Sequence, residues 1–311
     1  MTDLININNL YVEYTSNKGF LGGKQIVHAV NGVSLSIKEG EILALAGESG
    51  CGKSTLAKAI LKLEPAKSGC ISFAEPKETE KEFRKFAQMV FQNPYASLNP
   101  KMKIFEILKE PLEINTNLKK EEIKQKVIEK IEMVGLDKSC LELYPHEFSG
   151  GQRQRIAIAR ALMLDPKFIL ADEPVSALDV SIQAQIINLI KELKEKYKLT
   201  FLLITHDMSV IKYLADRVAI MYLGEIVEIG KCKDVFNNPL HPYTKALLNA
   251  VPQINGQTKK SVLKGDLPSP ANLPEGCKFH TRCPRMMDIC KTSHPKETGA
   301  NHKVKCFLYQ K

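Results

Sequence analysis

The chain has 311 residues, 44% hydrophobic and 25% charged, with a formal net charge of +9. This is an ordinary globular composition, long enough for a large core and for more than one domain or lobe. No apolar run approaches the roughly 20 residues of a membrane-spanning helix. The start, Met1-Thr2-Asp3-Leu4-Ile5-Asn6, has neither a basic n-region nor the apolar core of a signal peptide. The expectation is a chain that stays in the cytoplasm and reaches a membrane only through a partner. Its positive charge admits nucleic acid, anionic lipid or nucleotide phosphate. The lysines are scattered, as at Lys119-Lys120, or alternate with glutamates at helical spacing over 191–198. That pattern describes a solvated face and argues against nucleic acid as a partner.

In chain order, residues 4–14 and 26–37 read as antiparallel strands, with a Gly/Lys-rich loop from Ser16 to Lys24 between them. Tyr14 closes the first strand. It either stacks on an adenine or is an edge-strand tyrosine on the sheet surface. A buried strand, Glu41 to Ala46, then leads into Gly47-Glu48-Ser49-Gly50-Cys51-Gly52-Lys53-Ser54-Thr55. This stretch fits G-x-x-x-x-G-K-[ST], and Leu56 to Leu61 follows at helical spacing. Strand, glycine loop and helix are the setting that gives the motif its meaning. Its glycines let backbone N–H groups curl around phosphate oxygens, and the helix start adds free N–H groups and a positive dipole end. Lys53 reaches the β- and γ-phosphates, and the Ser54 hydroxyl holds Mg²⁺.

A short strand over 88–91 runs into Gln92. A glutamine at a strand end can place its amide near a metal and a water. The chain then changes character. Ile123, Val127, Ile128, Ile131 and Val134 recur at helical spacing and Gly135 stops the helix, which places a helical lobe at about 95–160. At its end Ser149-Gly150-Gly151 opens a helix from Gln152 to Leu164. Ser149 reads as a cap, or as part of a second anion site that faces the nucleotide of a neighbouring subunit.

Phe168-Ile169-Leu170-Ala171 ends in Asp172-Glu173. A buried strand delivers two acids to its C-terminal edge, where α/β sheets bind ligands. Adjacent buried acids need metal or donors. Asp172 holds Mg²⁺ through its water shell, and Glu173 polarises the attacking water. Ser176-Ala177-Leu178-Asp179 leads into a helix over 180–196. A third core strand, 200–204, ends at Thr205-His206-Asp207, where the His206 imidazole can touch a γ-phosphate. Strands near 218–221 and 226–228 finish the sheet.

These motifs in this order resemble the nucleotide-binding subunit of an ABC transporter over roughly residues 3–236. The resemblance implies an α/β P-loop NTPase core sheet with an antiparallel β lobe and an inserted helical lobe. It implies that Tyr14 stacks on adenine, that Gly47 to Thr55 binds the phosphates, and that Gln92 senses Mg²⁺ and the attacking water. Ser149, Gly150, Gly151 and Gln152 match the signature that closes on a partner's ATP, and Asp179 stands in the same series of motifs. Glu173 is then the general base, and His206 the γ-phosphate switch. Phe148 departs from the family's usual Leu, apolar for apolar. Two such subunits sandwich two ATPs and push on membrane helices.

Asn238-Pro239-Leu240-His241-Pro242-Tyr243-Thr244 and Leu267-Pro268-Ser269-Pro270 resemble the C-terminal extension of oligopeptide and dipeptide importers. The runs Gln92 to Pro100 and Tyr144 to Phe148 resemble their F-type subunit. This implies a cassette over 1–236 and an extension over 237–311. It also implies a non-identical D-type ATPase mate, two membrane permeases and an extracytoplasmic binding protein. Of the eight cysteines, Cys51, Cys70, Cys140 and Cys232 are dispersed, whereas Cys277, Cys283, Cys290 and Cys306 cluster near His280 and His294. Four clustered cysteines in a reducing compartment point to metal before disulfide, either zinc or an iron–sulfur cluster. The resemblance adds an expected 4Fe–4S cluster. Two alternatives to peptide import stay open: the same role in a nickel importer, and a soluble ABC ATPase acting on nucleic acid or ribosomes.

Overall fold

The computed structural model describes residues 2–17, 24–75, 79–250 and 265–310. Strand β1 (Asp3–Asn17) and strand β2 (Lys24–Lys38) come first. β1 continues past Tyr14 to Asn17, so Tyr14 lies inside the strand rather than at its end. Most of the Gly/Lys-rich loop expected there, residues 18–23, lies outside the described residues. The end of β2 alternates as a half-buried strand must, with Val33, Leu35 and Ile37 inward and Ser34 outward. Strand β3 (Ile42–Ala46) is buried at every position. It feeds helix α1 (Lys53–Ile60) and then strand β4 (Ser68–Phe73).

Helix α2 (Glu80–Phe86) starts with a capping box between Thr79 and Glu82 and turns Phe83 and Phe86 inward. Strand β5 (Ala87–Val90) and the short helix α3 (Pro94–Ser97) precede two longer helices, α4 (Ile104–Asn115) and α5 (Lys120–Met133). Both are amphipathic. Ile104, Leu108 and Leu112 of α4 and Val127 and Ile131 of α5 are all fully buried. Gly135, at φ 75°, ends α5 as its spacing predicts. Helix α6 (Gly150–Leu162), strand β6 (Phe168–Asp172), helix α7 (Val180–Tyr197) and strand β7 (Thr200–Ile204) follow. The rest comprises α8 (Met208–Leu214), β8 (Arg217–Tyr222), β9 (Glu225–Lys231), α9 (Cys232–Asn237), α10 (Pro242–Asn249), α11 (Ile289–Thr292), β10 (Glu297–Thr298) and β11 (Lys303–Lys305).

The chain forms two compact units. The first is residues 75–203 with short pieces at 1–2 and 38–41. Here β5 and β6 run parallel, Ala87 opposite Phe168 and Val90 opposite Ala171, and β7 lies beside β6. Lys130, on the inner edge of α5, is buried and pairs with Asp165 at 2.7 Å, so that its charge is matched where it leaves water.

The second unit is residues 3–37, 42–74 and 204–311. One sheet has the order β2-β1-β4. β1 and β4 are antiparallel, with a register shift between Asn8 and Tyr11. The other strands of the unit are ordered β10-β11-β9-β8-β3. β3 and β8 pair in parallel, Ala46 opposite Ile220, and β8 and β9 are antiparallel. The core behind β8 holds three aromatic rings. Tyr222 meets Tyr243 at 4.7 Å and Phe279 at 5.2 Å between ring centres, both edge-on. Glu228 on β9 is also buried. Its carboxylate accepts the Leu240 and His241 N–H groups, each at 2.8 Å, and meets His302 Nε2 at 2.7 Å.

His241 caps α10, its Nδ1 accepting the Tyr243 N–H at 3.1 Å, beside the Phe279 ring. Burial pulls its pKa down to about 3. The unfolded imidazole titrates near ~6.5, so between these values the unfolded chain binds more protons than the folded one. Stability from this residue is therefore present above ~6.5 and falls as pH drops, by up to about 1.4 kcal/mol per pH unit. Denaturant unfolding between pH 7 and 4 should show this slope. His241→Asn, which keeps a capping acceptor, should flatten it; an unchanged slope would remove the assignment.

Candidate functional site

The phosphate loop lies wholly in the second unit. β3 is clamped on one side by β8, which fixes where Gly47 begins the loop. Gly47 (φ 154°) and Gly52 (φ 105°) are glycine for two reasons each. The backbone is left-handed, and a Cβ would stand 2.2 Å from the Met221 carbonyl oxygen at Gly47 and 2.1 Å from that of Ala29 at Gly52. Gly52 caps α1 without a side chain, and α1 has no acid in its first turn. No acid within the helix itself thus opposes the positive end of α1. Lys53 is buried. Its ammonium donates to the Gly47 and Glu48 carbonyls, each at 2.8 Å, so it lies along the loop it was expected to serve. Ser54 is exposed. The Tyr14 hydroxyl donates to Thr55 Oγ1 at 3.4 Å, which brings the β1 tyrosine to the first turn of α1. Burial raises the pKa of the Cys51 thiol. Ser49 and Gly50 form the exposed tip of the loop.

The acidic residues and the serine–glycine motif lie in the first unit. Asp172 ends β6, and Glu173 follows at φ 45°, a left-handed conformation that a non-glycine residue adopts only when its surroundings demand it. That twist turns Glu173 toward Gln92, whose amide donates to Glu173 Oε2 at 2.7 Å. Two residues expected to act on one water are therefore neighbours, although 81 positions separate them. Ser149 is the cap of α6: its hydroxyl accepts the Gln152 N–H at 3.3 Å, and Gln152 Oε1 accepts the Ser149 N–H at 3.0 Å. The capping reading thus holds for Ser149. Gly151 is buried, and a Cβ on it would meet Ile182 Cγ2 at 2.4 Å. This packs the start of α6 against α7, directly after Asp179, whose carbonyl accepts the Gln183 N–H at 2.8 Å. Gly150 sits next to Leu178 in the same contact. His206 follows β7 in the second unit and is exposed.

In the tail, Cys290 and Cys306 are buried and Cys277 and Cys283 half-buried, all as free thiols. Burial pushes the Cys277 thiol up to about 12, and the neighbouring thiols of Cys290, Cys306 and Cys283 add to the rise. Burial also raises Cys283 and Cys306. The four sulfurs are close enough to sense one another. Even so, among the described residues no group of three or more His, Cys, Asp or Glu side chains is arranged to hold a metal ion. In this arrangement the tail does not fit an iron–sulfur cluster.

The family model described as "ABC transporter" matches residues 30–176, and that described as "Oligopeptide/dipeptide transporter, C-terminal region" matches residues 227–290. The chain belongs to the ABC transporter family. Within it, it groups with the ATP-binding proteins of oligopeptide and dipeptide transport. The oligopeptide transport ATP-binding protein AppF of Bacillus subtilis is 51% identical, over 91% of this chain and 90% of that one. The dipeptide transport ATP-binding protein DppF of Haemophilus influenzae is 48% identical, over 94% and 92%. Among solved structures, the ATP-binding cassette MJ0796, in a dimeric post-hydrolysis state bound to ADP and Pi, aligns with a TM-score of 0.64 and 31% identity. That match covers 74% of this chain and 99% of that one.

One residue escaped the sequence reading. The Tyr243 hydroxyl accepts the Glu48 N–H at 2.9 Å and so supports the phosphate loop from α10. Its Pro-Tyr dipeptide marks a helix start, but nothing local links it to a loop 195 positions earlier.

Gly52→Ala should force the Ala29 carbonyl aside and strain φ. The expected outcome is loss of ATP binding of at least tenfold in a fluorescent-nucleotide titration, with the far-UV spectrum retained. Parent-like affinity would show that the loop does not need this geometry.

Proposed function

We propose that this chain is the ATP-hydrolysing subunit that powers import of oligopeptides or dipeptides across the cell membrane. The Gln92–Glu173 hydrogen bond at the end of a buried strand carries the reading, because it pairs a carboxylate base with an amide that can hold its water in place. The phosphate loop supports the reading separately. At Gly50, on the exposed tip, a Cβ would meet nothing within 4 Å, so the loop backbone is open to a phosphate on that side. Ser54 and Asp172 provide the oxygen donors that Mg²⁺ prefers, and the ion, when bound with ATP, offsets charge on the β- and γ-phosphates. Lys53 binds those phosphates, Tyr14 packs the adenine, His206 contacts the γ-phosphate, and Glu173 accepts a proton from the attacking water.

The signature residues, Ser149 to Gln152 with Asp179, close on the nucleotide of a second ATPase subunit, and a non-identical D-type chain is the proposed mate. Relatives named for peptide transport support the cargo class and, with it, two permeases and an extracytoplasmic binding protein. No helix among the described residues is long and apolar enough to cross a membrane, so the proposed station is peripheral, on the cytoplasmic face. Residues 1–236 form the cassette and 237–311 the extension in this reading. The two family matches fall on the two parts in turn, at residues 30–176 and 227–290, the second beginning ten residues ahead of 237.

A second reading of the tail is kept for one observation, the mutual influence of four thiols: a 4Fe–4S cluster that assembles on Cys277, Cys283, Cys290 and Cys306 after they rearrange. Anaerobically purified protein would then contain iron and sulfide and lose both on Cys283→Ser. A colourless, iron-free preparation would leave the thiols as thiols.

For the main reading, Glu173→Gln keeps the shape and removes the base. In the assembled transporter, ATP binding should persist and turnover should fall by about 10²-fold or more. Turnover at the parental rate would displace Glu173 from its role.

A further inference from the structure

The phosphate loop carries a carboxylate, Glu48, at its second position. A loop that binds a triphosphate gains nothing from a negative charge, because like charges repel and the effect grows as water leaves. The structure shows how that charge is handled. Arg282 Nη1 lies 2.9 Å from Glu48 Oε2, and the arginine side chain is only 7% exposed while that of Glu48 is 25% exposed. The guanidinium also stands 5.9 Å from the centre of the Tyr222 ring. Arg282 is held firmly. Its N–H donates to the Phe279 carbonyl at 3.0 Å, and Phe279 is buried against Tyr222 and Tyr243. Glu48 is thereby fixed at three points. Tyr243 takes its N–H, Lys53 takes its carbonyl, and Arg282 takes its carboxylate.

We infer that the C-terminal tail acts on its own chain's nucleotide site: Arg282 is a positioning residue that neutralises Glu48 and, with Tyr243, holds the phosphate loop in its binding shape. This rests on the nucleotide-binding reading of Gly47 to Thr55. It assigns the tail a role in ATP affinity that requires no metal.

The test is ATP affinity of the full-length chain, by competition with a fluorescent ATP analogue, with melting temperature followed in parallel. Arg282→Ala should weaken ATP binding about threefold to tenfold, since it leaves a carboxylate unpaired beside the phosphates. Adding Glu48→Gln to that variant should restore most of the loss, because the offending charge is gone. Arg282→Lys, which keeps the charge without the fork, should stay closer to the parent than Arg282→Ala does, and it serves if the alanine variant does not fold. Unchanged affinity in a folded Arg282→Ala chain would overturn the inference. So would a loss that Glu48→Gln does not repair, or a lysine variant as weak as the alanine one, since those results would place Arg282 in packing alone. If the parent chain bound no ATP, the reading of the loop itself would fall first, and this one with it.

Discussion

Two backbone carbonyls shape the nucleotide-binding half of this protein. The oxygens of Met221 and Ala29 close on Gly47 and Gly52 so tightly that no side chain fits at either position. The loop is therefore moulded by its neighbours as much as by its own sequence. Met221 is set by the pairing of β8 with β9, where it stands opposite Ile226, and Ala29 by its place on β2. A phosphate cradle made of N–H groups works only if those groups are already aimed, since aiming them on binding would consume affinity. The walls that exclude a Cβ supply that preorganisation. Lys53, laid against two loop carbonyls, adds internal support and keeps its charge satisfied while buried.

The first unit uses a different device. Glu173 accepts a left-handed backbone, a strain of the order of 1–3 kcal/mol, and the β6 strand before it is anchored in the core. The strain aims the carboxylate at Gln92. The serine–glycine turn is built more economically. Its capping box satisfies α6 locally, and Gly151 lets α7 approach, so helix start and Asp179 turn are packed as one piece. A capped helix and an anion site are compatible uses of one structure, because the cap engages only one of the free N–H groups that a helix start offers.

Much of this was legible in the residues. The buried strands β3, β6 and β7 announced themselves as short apolar runs ending in glycine, in acid and in Thr-His respectively, and the Ile and Val spacing of α5 with its terminal Gly135 fixed both its face and its end. Local chemistry was sufficient there. Other features depended on distance in the chain. β4 is largely exposed and mixed in composition, so no periodicity marked it. The left-handed Glu173 could not be foreseen, since nothing in a glutamate predicts positive φ. The Glu48 contacts to Tyr243 and Arg282 span 195 and 234 positions and leave no trace in either neighbourhood. In the tail, four cysteines suggest a ligand set by count and spacing alone, but ligation needs convergent sulfur, and among the described residues no group of three or more such side chains is arranged to hold a metal ion.

Glu228 has a consequence for the order in which the protein is made. Its carboxylate collects two backbone N–H groups from the stretch before α10 and an imidazole 74 positions downstream. β11 closes over the same strand, with Val304 opposite Glu228. A nascent chain that has just emerged through β9 therefore carries an acidic group destined for a dry interior but still without its histidine. That edge must stay open to water, and to any chaperone attending it, until the downstream segment is synthesised. The cassette's sheet is thus completed from a distance, by residues that a truncated translation product would lack.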